Sequence, residues 1–217
     1  MYTGKVKVAG DADVRELPAL VLSKLAVGPY DNNAYLLRCR QSGAQVLIDA
    51  AAEPDRLLSL VGTGGLDAVV TTHRHPDHWQ GLAEVVARTG ATTYAGEHDA
   101  DGIPVPTDVL VADDDLIPVG ESRLRAIHLV GHTPGSIALL YDDPEGHSHL
   151  FSGDCLFPGG VGNTQKDPIR FASLLDGIQT KVFDVLADDT WVYPGHGHDT
   201  TLGVERVSLP QWRERGW

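Results

Sequence analysis

Apolar positions in the first fifty residues fall in short runs separated by turn-forming residues. Residues 20–27, 34–38 and 45–49 are rich in Val, Leu, Ile and Tyr. Gly28-Pro29-Tyr30-Asp31-Asn32 and Gln41-Ser42-Gly43 divide them. This pattern predicts strands joined by tight turns. The spacing then changes. Pro54 suits a first helical turn, Leu57, Leu58 and Val61 share one face, and Gly62 can end the helix. Residues 67–71 read as a buried strand. A second helix is predicted to start near Trp79, with Trp79, Leu82 and Val86 on one side and Gly90 at its end. The second half repeats this grammar loosely. Residues 109–111, 123–130, 137–141, 150–152 and 191–193 read as strands, with a turn at Asp142-Asp143-Pro144-Glu145-Gly146. A longer helix is predicted from 168 to about 183. Asp167 is its N-cap, and Phe171, Leu174, Leu175, Ile178 and Val182 recur on one stripe. Two β-rich halves, each with helices, fit a two-sheet core with helices outside.

Composition narrows the functional classes. The 217 residues are 42% apolar and 22% charged, the profile of a folded globular chain, and the length suits one domain over 1–217. With 17 Lys+Arg against 30 Asp+Glu, the net charge is −13. That balance opposes non-specific nucleic-acid binding and docking on anionic lipid. Lys5 and Lys7 precede no apolar segment of a signal-peptide kind, and no run reaches the ~18 apolar residues of a membrane span. Cys39 and Cys155 are too few for a disulfide framework. We therefore expect a cytoplasmic protein with reduced thiols and neither nucleic-acid nor membrane partners.

Ten histidines are the unusual count, and they cluster. His73-x-His75-x-Asp77-His78 offers four N/O donors in six residues, a set suited to Zn²⁺ or another borderline metal. Three later residues each follow a glycine at the end of a predicted strand: His132, Asp154 and His196. Glycine there lets the backbone bend and the side chain project. The other histidines read more plainly. His98 is expected to be exposed, His128 a structural residue within a strand, and His147 and His149 solvated beside a turn. Cys155 is expected to be a small buried residue.

The motifs Thr72-His73-Arg74-His75-Pro76-Asp77-His78, Gly131-His132-Thr133-Pro134-Gly135, Phe151-Ser152-Gly153-Asp154 and Tyr193-Pro194-Gly195-His196-Gly197 resemble those of metallo-β-lactamase-fold hydrolases, and among them the glyoxalase II-like thioester hydrolases. The likeness runs in order from about Val21 to Glu205. It implies an αββα four-layer sandwich with two divalent metal ions at one edge of the sheets, zinc first, iron or manganese as substitutes. Carried over by position, His73, His75 and His132 would bind one metal, Asp77, His78 and His196 the other, and Asp154 would bridge them. Asn32-Asn33-Ala34-Tyr35-Leu36-Leu37 resembles the family's strand opening. Asp49, ending Leu47-Ile48-Asp49, reads either as a support for a metal-site loop or as a plain strand-terminating Asp. His198, two residues beyond His196, is a further supporting candidate.

The resemblance also implies a reaction. Two cations would hold a hydroxide between them, Asp77 would aim it at a carbonyl carbon, and the substrate would be a small-molecule thioester. The relatives usually carry Arg or Lys where this chain has Asn163, a cation that in true glyoxalase II helps hold the glutathione carboxylate. Lys166, three residues on, is a candidate replacement, and Trp79 adjoins the metal loop as a further candidate for substrate contact. The sequence stops at Trp217, about a dozen residues past the last recognisable stretch, so the helical extension that completes the glutathione pocket is expected to be missing. A different thiol carrier is therefore expected. Three other readings remain open. One is an iron persulfide dioxygenase using His73, His132 and Asp154. Another is a lactonase. The last is a non-enzymatic module with a structural metal.

Overall fold

The computed structural model describes residues 2–216. Its first sheet has seven strands in sequence order: β1 (Asp13–Glu16), β2 (Leu20–Val27), β3 (Asn32–Cys39), β4 (Gln45–Ile48), β5 (Ala68–Thr71), β6 (Thr92–Gly96) and β7 (Val109–Val111). Pairing is antiparallel from β1 to β4 and parallel from β4 to β7. The parallel steps need crossovers. Helix α1 (Pro54–Val61) joins β4 to β5, and α2 (Leu82–Thr89) joins β5 to β6. The second sheet comprises β8 (Leu116–Val119), β9 (Ser122–His128), β10 (Ile137–Tyr141), β11 (His149–Gly153), β14 (Trp191–Pro194) and β15 (Thr200–Thr201), in the order β15-β14-β11-β10-β9-β8. A small hairpin, β12 (Leu156–Phe157) with β13 (Gly160–Val161), and helix α3 (Pro168–Ile178) connect β11 to β14. The short helices α4 (Leu202–Arg206) and α5 (Leu209–Arg215) follow β15.

Strand alternation explains the layering. Leu37, Ile48 and Val70 of the first sheet meet Ala126, Leu139, Phe151 and Tyr193 of the second in the central core. Their neighbours Leu36, Leu47 and Val69 face outward and are covered by Leu57, Leu82 and Val85 of α1 and α2. On the far side, Ile127, Leu140, Leu150 and Val192 pack under Phe171, Leu174, Leu175 and Ile178 of α3. Both faces of each sheet are thus buried, which is why central strands read as continuous apolar runs. The result is the expected αββα sandwich. No helix among the described residues is long and apolar enough to cross a membrane.

Several local expectations need correction. Helix α2 starts at Leu82, not near Trp79, because Pro76–His78 form a separate 3₁₀ turn. The 123–130 strand ends at His128. The helix begun at Pro168 is α-helical only to Ile178 and widens into a π turn over Gln179–Phe183. His149 is not solvated. It is 1% exposed within β11, with Nδ1 2.9 Å from Tyr193 Oη.

Candidate metal centre

The strand ends on one edge of the sandwich supply the chemistry. His73 and His75 follow β5, His78 ends the 3₁₀ turn, His132 lies in the loop after β9, Asp154 follows β11 and His196 follows β14. Three sets of donor atoms converge there: His73, His75 and His132; His73, His78 and Asp154; Asp77, His78 and His196. Within the first, His73 Nε2 is 3.1 Å from His75 Nδ1 and 3.2 Å from His132 Nε2. Within the last, His196 Nε2 is 3.3 Å from His78 Nε2 and 3.4 Å from Asp77 Oδ2. Asp154 spans both. Its Oδ2 is 3.6 Å from His132 Nε2 and 3.5 Å from His196 Nε2, and its Oδ1 is 3.5 Å from His78 Nε2.

The surroundings decide where each imidazole proton sits. His132 Nδ1 is 2.8 Å from the Asn163 carbonyl, and His196 Nδ1 is 2.8 Å from that of Tyr30. A carbonyl only accepts, so both Nδ1 atoms carry hydrogen and both Nε2 atoms point inward. His78 Nδ1 meets Asp49 Oδ2 at 2.8 Å. Thr72 Oγ1 donates to that same carboxylate at 2.8 Å and lies 3.1 Å from His73 Nδ1. Asp49 also accepts from Thr72 N at 2.7 Å. It holds this place from a left-handed backbone conformation, φ 58°, which Asp tolerates better than most residues.

These residues fit metal ions. Donor-to-donor separations of 3.1–3.4 Å match the roughly 3.3 Å edge of a tetrahedron built on ~2.0–2.1 Å metal–ligand bonds. Asp154 Oδ1 is buried without a hydrogen-bond partner, a costly state unless something else satisfies it. Gly195 leaves that oxygen room, since a Cβ there would collide with Asp154 Oδ1 and lie 2.8 Å from His78 Cε1. Burial pulls His73, His75 and His132 below the ordinary imidazole range, leaving bare lone pairs. Burial acts the same way on His78 and His196. There the carboxylates outweigh it, chiefly Asp49 and Asp154 for His78, and Asp154 and Asp77 for His196. Each is pushed up to about 10. The proton so held competes with a metal cation for the same nitrogen, so metal uptake would release it.

The remaining sequence candidates lie elsewhere in the site or outside it. Trp79 packs against the outer core of the first sheet and donates from Nε1 to Arg74 O at 2.8 Å. Asn163 touches the centre through its backbone carbonyl, while its side chain accepts from Gln165 N. Lys166 and His198 are exposed. A cavity of about 360 Å³ lies beside Asp77, lined by Tyr30, Pro76, Asp77 and Gln80. Residue-by-residue reading missed the part played by Asn32 and Asn33, both 1% exposed. Asn32 Nδ2 donates to Asp77 Oδ2 at 3.0 Å. Asn33 fastens the His196 loop, its N donating to Gly195 O and its Nδ2 to Pro194 O and Gly197 O. Two adjacent amides opening an otherwise apolar strand were the available signal.

An αββα sandwich with clustered His and Asp at the strand ends of one edge defines a metallohydrolase-type class, and comparison with known proteins agrees. The chain belongs to the metallo-beta-lactamase superfamily, whose profile matches residues 27–203. It is 35% identical over 173 residues to a hydroxyacylglutathione hydrolase of Rhodospirillum rubrum, a match covering 76% of this chain and 62% of that protein. Against the probable metallo-hydrolase YqgX of Bacillus subtilis it is 30% identical, covering 86% of this chain and 95% of the relative. Among solved structures, ETHE1 from Myxococcus xanthus superposes with a TM-score of 0.78 at 28% identity, covering 89% and 84% of the two chains. TTHA1623, solved in a di-iron-bound form, gives 0.69 at 32% identity, covering 84% and 96%. The chain thus spans under two thirds of that hydroxyacylglutathione hydrolase and nearly the whole of YqgX.

Proposed function

We propose that this protein is a metal-dependent hydrolase that cleaves a thioester of a small thiol at a dinuclear centre. His73, His75 and His132 would hold one ion, Asp77, His78 and His196 the other, and Asp154 would contact both. The observation that supports this most is the convergence of inward-facing imidazole nitrogens on two neighbouring points linked by one carboxylate. Asp49, Asp77 and Asp154 bring three negative charges to a centre whose histidines serve as neutral ligands, a balance that suits bound cations. The all-N/O donor set suits zinc, with iron or manganese able to take the same positions. Both cysteines are free and buried, in keeping with a reducing cytoplasm.

When bound, the metals supply Lewis acidity toward a carbonyl oxygen and a water ionised near neutral pH. The chain's own residues do the rest. Hydrogen bonding from His196 and Asn32 holds the Asp77 carboxyl well below the usual range, so it is ionised at neutral pH. With Oδ2 occupied by Asn32, Asp77 keeps Oδ1 to accept a hydrogen bond from, and so orient, a nucleophilic water. The cavity bounded by Tyr30, Pro76 and Gln80 admits the substrate directly over this carboxylate. A thiol leaving group of pKa near ~8.5 departs as thiolate with little help from an acid, and the cavity lining of Tyr30, Pro76, Asp77 and Gln80 includes neither Glu nor Lys. The exposed amide at Asn163 carries no cation for a glutathione carboxylate, which favours a thiol carrier less anionic at that end.

Elemental analysis of the purified protein, run beside thioester, lactone and persulfide substrates, tests the reading. Two metal equivalents and metal-dependent thioester hydrolysis are expected. Asp77→Ala should lower turnover at least ~10²-fold, the scale for losing a preorganised charge. Thioester hydrolysis undiminished after metal removal would overturn the proposal. One iron per chain with oxygen uptake on a persulfide would replace it with a dioxygenase.

A further inference from the structure

Asp99 lies outside the four His- and Asp-bearing motifs. It follows β6 and has no exposed surface, yet its carboxylate collects four donors from two different loops. Oδ1 accepts from Arg74 Nε at 2.7 Å and from Gly135 N at 2.9 Å. Oδ2 accepts from Arg74 N at 3.1 Å and from Thr133 Oγ1 at 2.5 Å. Arg74 stands between His73 and His75, and Thr133 directly follows His132. A further bond from Arg74 Nη2 to His98 O, 2.5 Å, clamps the same segment. Backbone contact leaves little slack, because a Cβ at Gly135 would collide with Asp99 N and one at Gly96 with Gly135 O. The Asp77–His78–His196 group has other supports: Asn32 on Asp77, Asp49 on His78 and Tyr30 O on His196.

We infer that Asp99 is a positioning residue that sets the distance of His73 and His75 from His132, and so the metal affinity of that triad and not of the other. The inference rests on the metal-binding reading above. Four donors saturate the lone pairs of two carboxylate oxygens, and the two loops they come from are the two that carry this triad. Losing the carboxylate would free those loops to drift apart while the opposite triad stays braced. Asn in its place keeps the shape but has one accepting oxygen, so its amide nitrogen would face the donors that Oδ2 now serves.

Zn²⁺ affinity, read by competition with a chromophoric chelator, tests this in two single-position backgrounds. His196→Ala leaves the His73–His75–His132 triad intact, and His75→Ala leaves the other. Asp99→Asn should weaken Zn²⁺ binding about 10–100-fold in the first background, the usual cost of losing a group that orients a ligand, and leave the second unchanged. Thr133→Val, which removes one donor and keeps the volume, should act in the same direction more weakly, and it carries the test if Asp99→Asn does not fold. Unchanged affinity in the first background, or equal loss in both, would overturn the role given to Asp99 while leaving the metal centre standing. Failure of the unsubstituted protein to take up Zn²⁺ would overturn the metal centre, and this inference with it.

Discussion

At the scale of single residues, the centre depends on groups that fix which nitrogen of each histidine faces inward. Asp49 serves two histidines, His78 directly and His73 through the Thr72 hydroxyl. The sequence left it between a support and an ordinary strand end. Its contacts with Thr72 and His78, both buried, are those a support would make. We expect Asp49→Asn to weaken metal binding about 10–100-fold, measured as equilibrium Zn²⁺ affinity, because an amide accepts through one oxygen and cannot match a carboxylate's charge beside His78. His73, His75, Asp77 and His78 were legible because four donors fall within six residues. Asn32, Asn33 and Asp99 were not. Their partners lie 25 to 164 residues away; the paired amides at the start of β3 are a faint local signal, and Asp99 has none.

Among the elements, those whose local chemistry agrees with their packing were the readable ones. Helix α3 has both an apolar stripe and a cap, with Asp167 Oδ1 accepting from Ile169 N at 2.8 Å and Arg170 N at 3.1 Å. Asp167→Ala should therefore cost about 1 kcal/mol in urea denaturation with an unchanged m-value, the usual price of an N-cap. Helix α2 was misplaced for an instructive reason. Trp79, Leu82 and Val86 keep helical spacing, but Gly81 N donates to Ala50 O and Trp79 Nε1 to Arg74 O. Those tertiary bonds hold the preceding turn in the geometry that aims Asp77 and His78, and the helix begins only after it. The short strands β1, β8 and β15 escaped notice because two to four residues carry too little periodicity.

For the molecule as a whole, two buried titratable groups tie distant parts of the chain together. Lys24, in β2, is wholly buried. Its Nζ meets Asp199 Oδ1 at 2.6 Å, Gly197 O at 2.8 Å and Gly4 O at 2.9 Å, fastening the first sheet to the segment after His196. Lys24→Met would strand the Asp199 charge in the interior, and we expect a loss of about 3–5 kcal/mol in chemical denaturation. His149 carries a pH dependence. Burial, aided by His147 and Arg15, lowers it from 6.5 to about 3. Below about 6.5 the unfolded chain takes up a proton that the folded chain refuses. Stability contributed here is therefore intact above that pH and falls at about 1.4 kcal/mol per pH unit toward about 3. Denaturation midpoints at several pH values between 7 and 4 should show a shallower slope for His149→Phe than for the unsubstituted protein.

The sequence by itself determined the strand–helix grammar, the two-layered apolar pattern and the ordered His and Asp motifs, because each is written in neighbouring residues or short periods. Tertiary structure alone decided that His149 is buried, that Lys24 finds an anion, and that Asn32, Asn33 and Asp99 hydrogen-bond to the histidine-bearing loops. Each of those outcomes depends on which distant groups the two sheets bring within hydrogen-bonding reach, and a period of two or of 3.6 residues holds no information about a partner a hundred positions away.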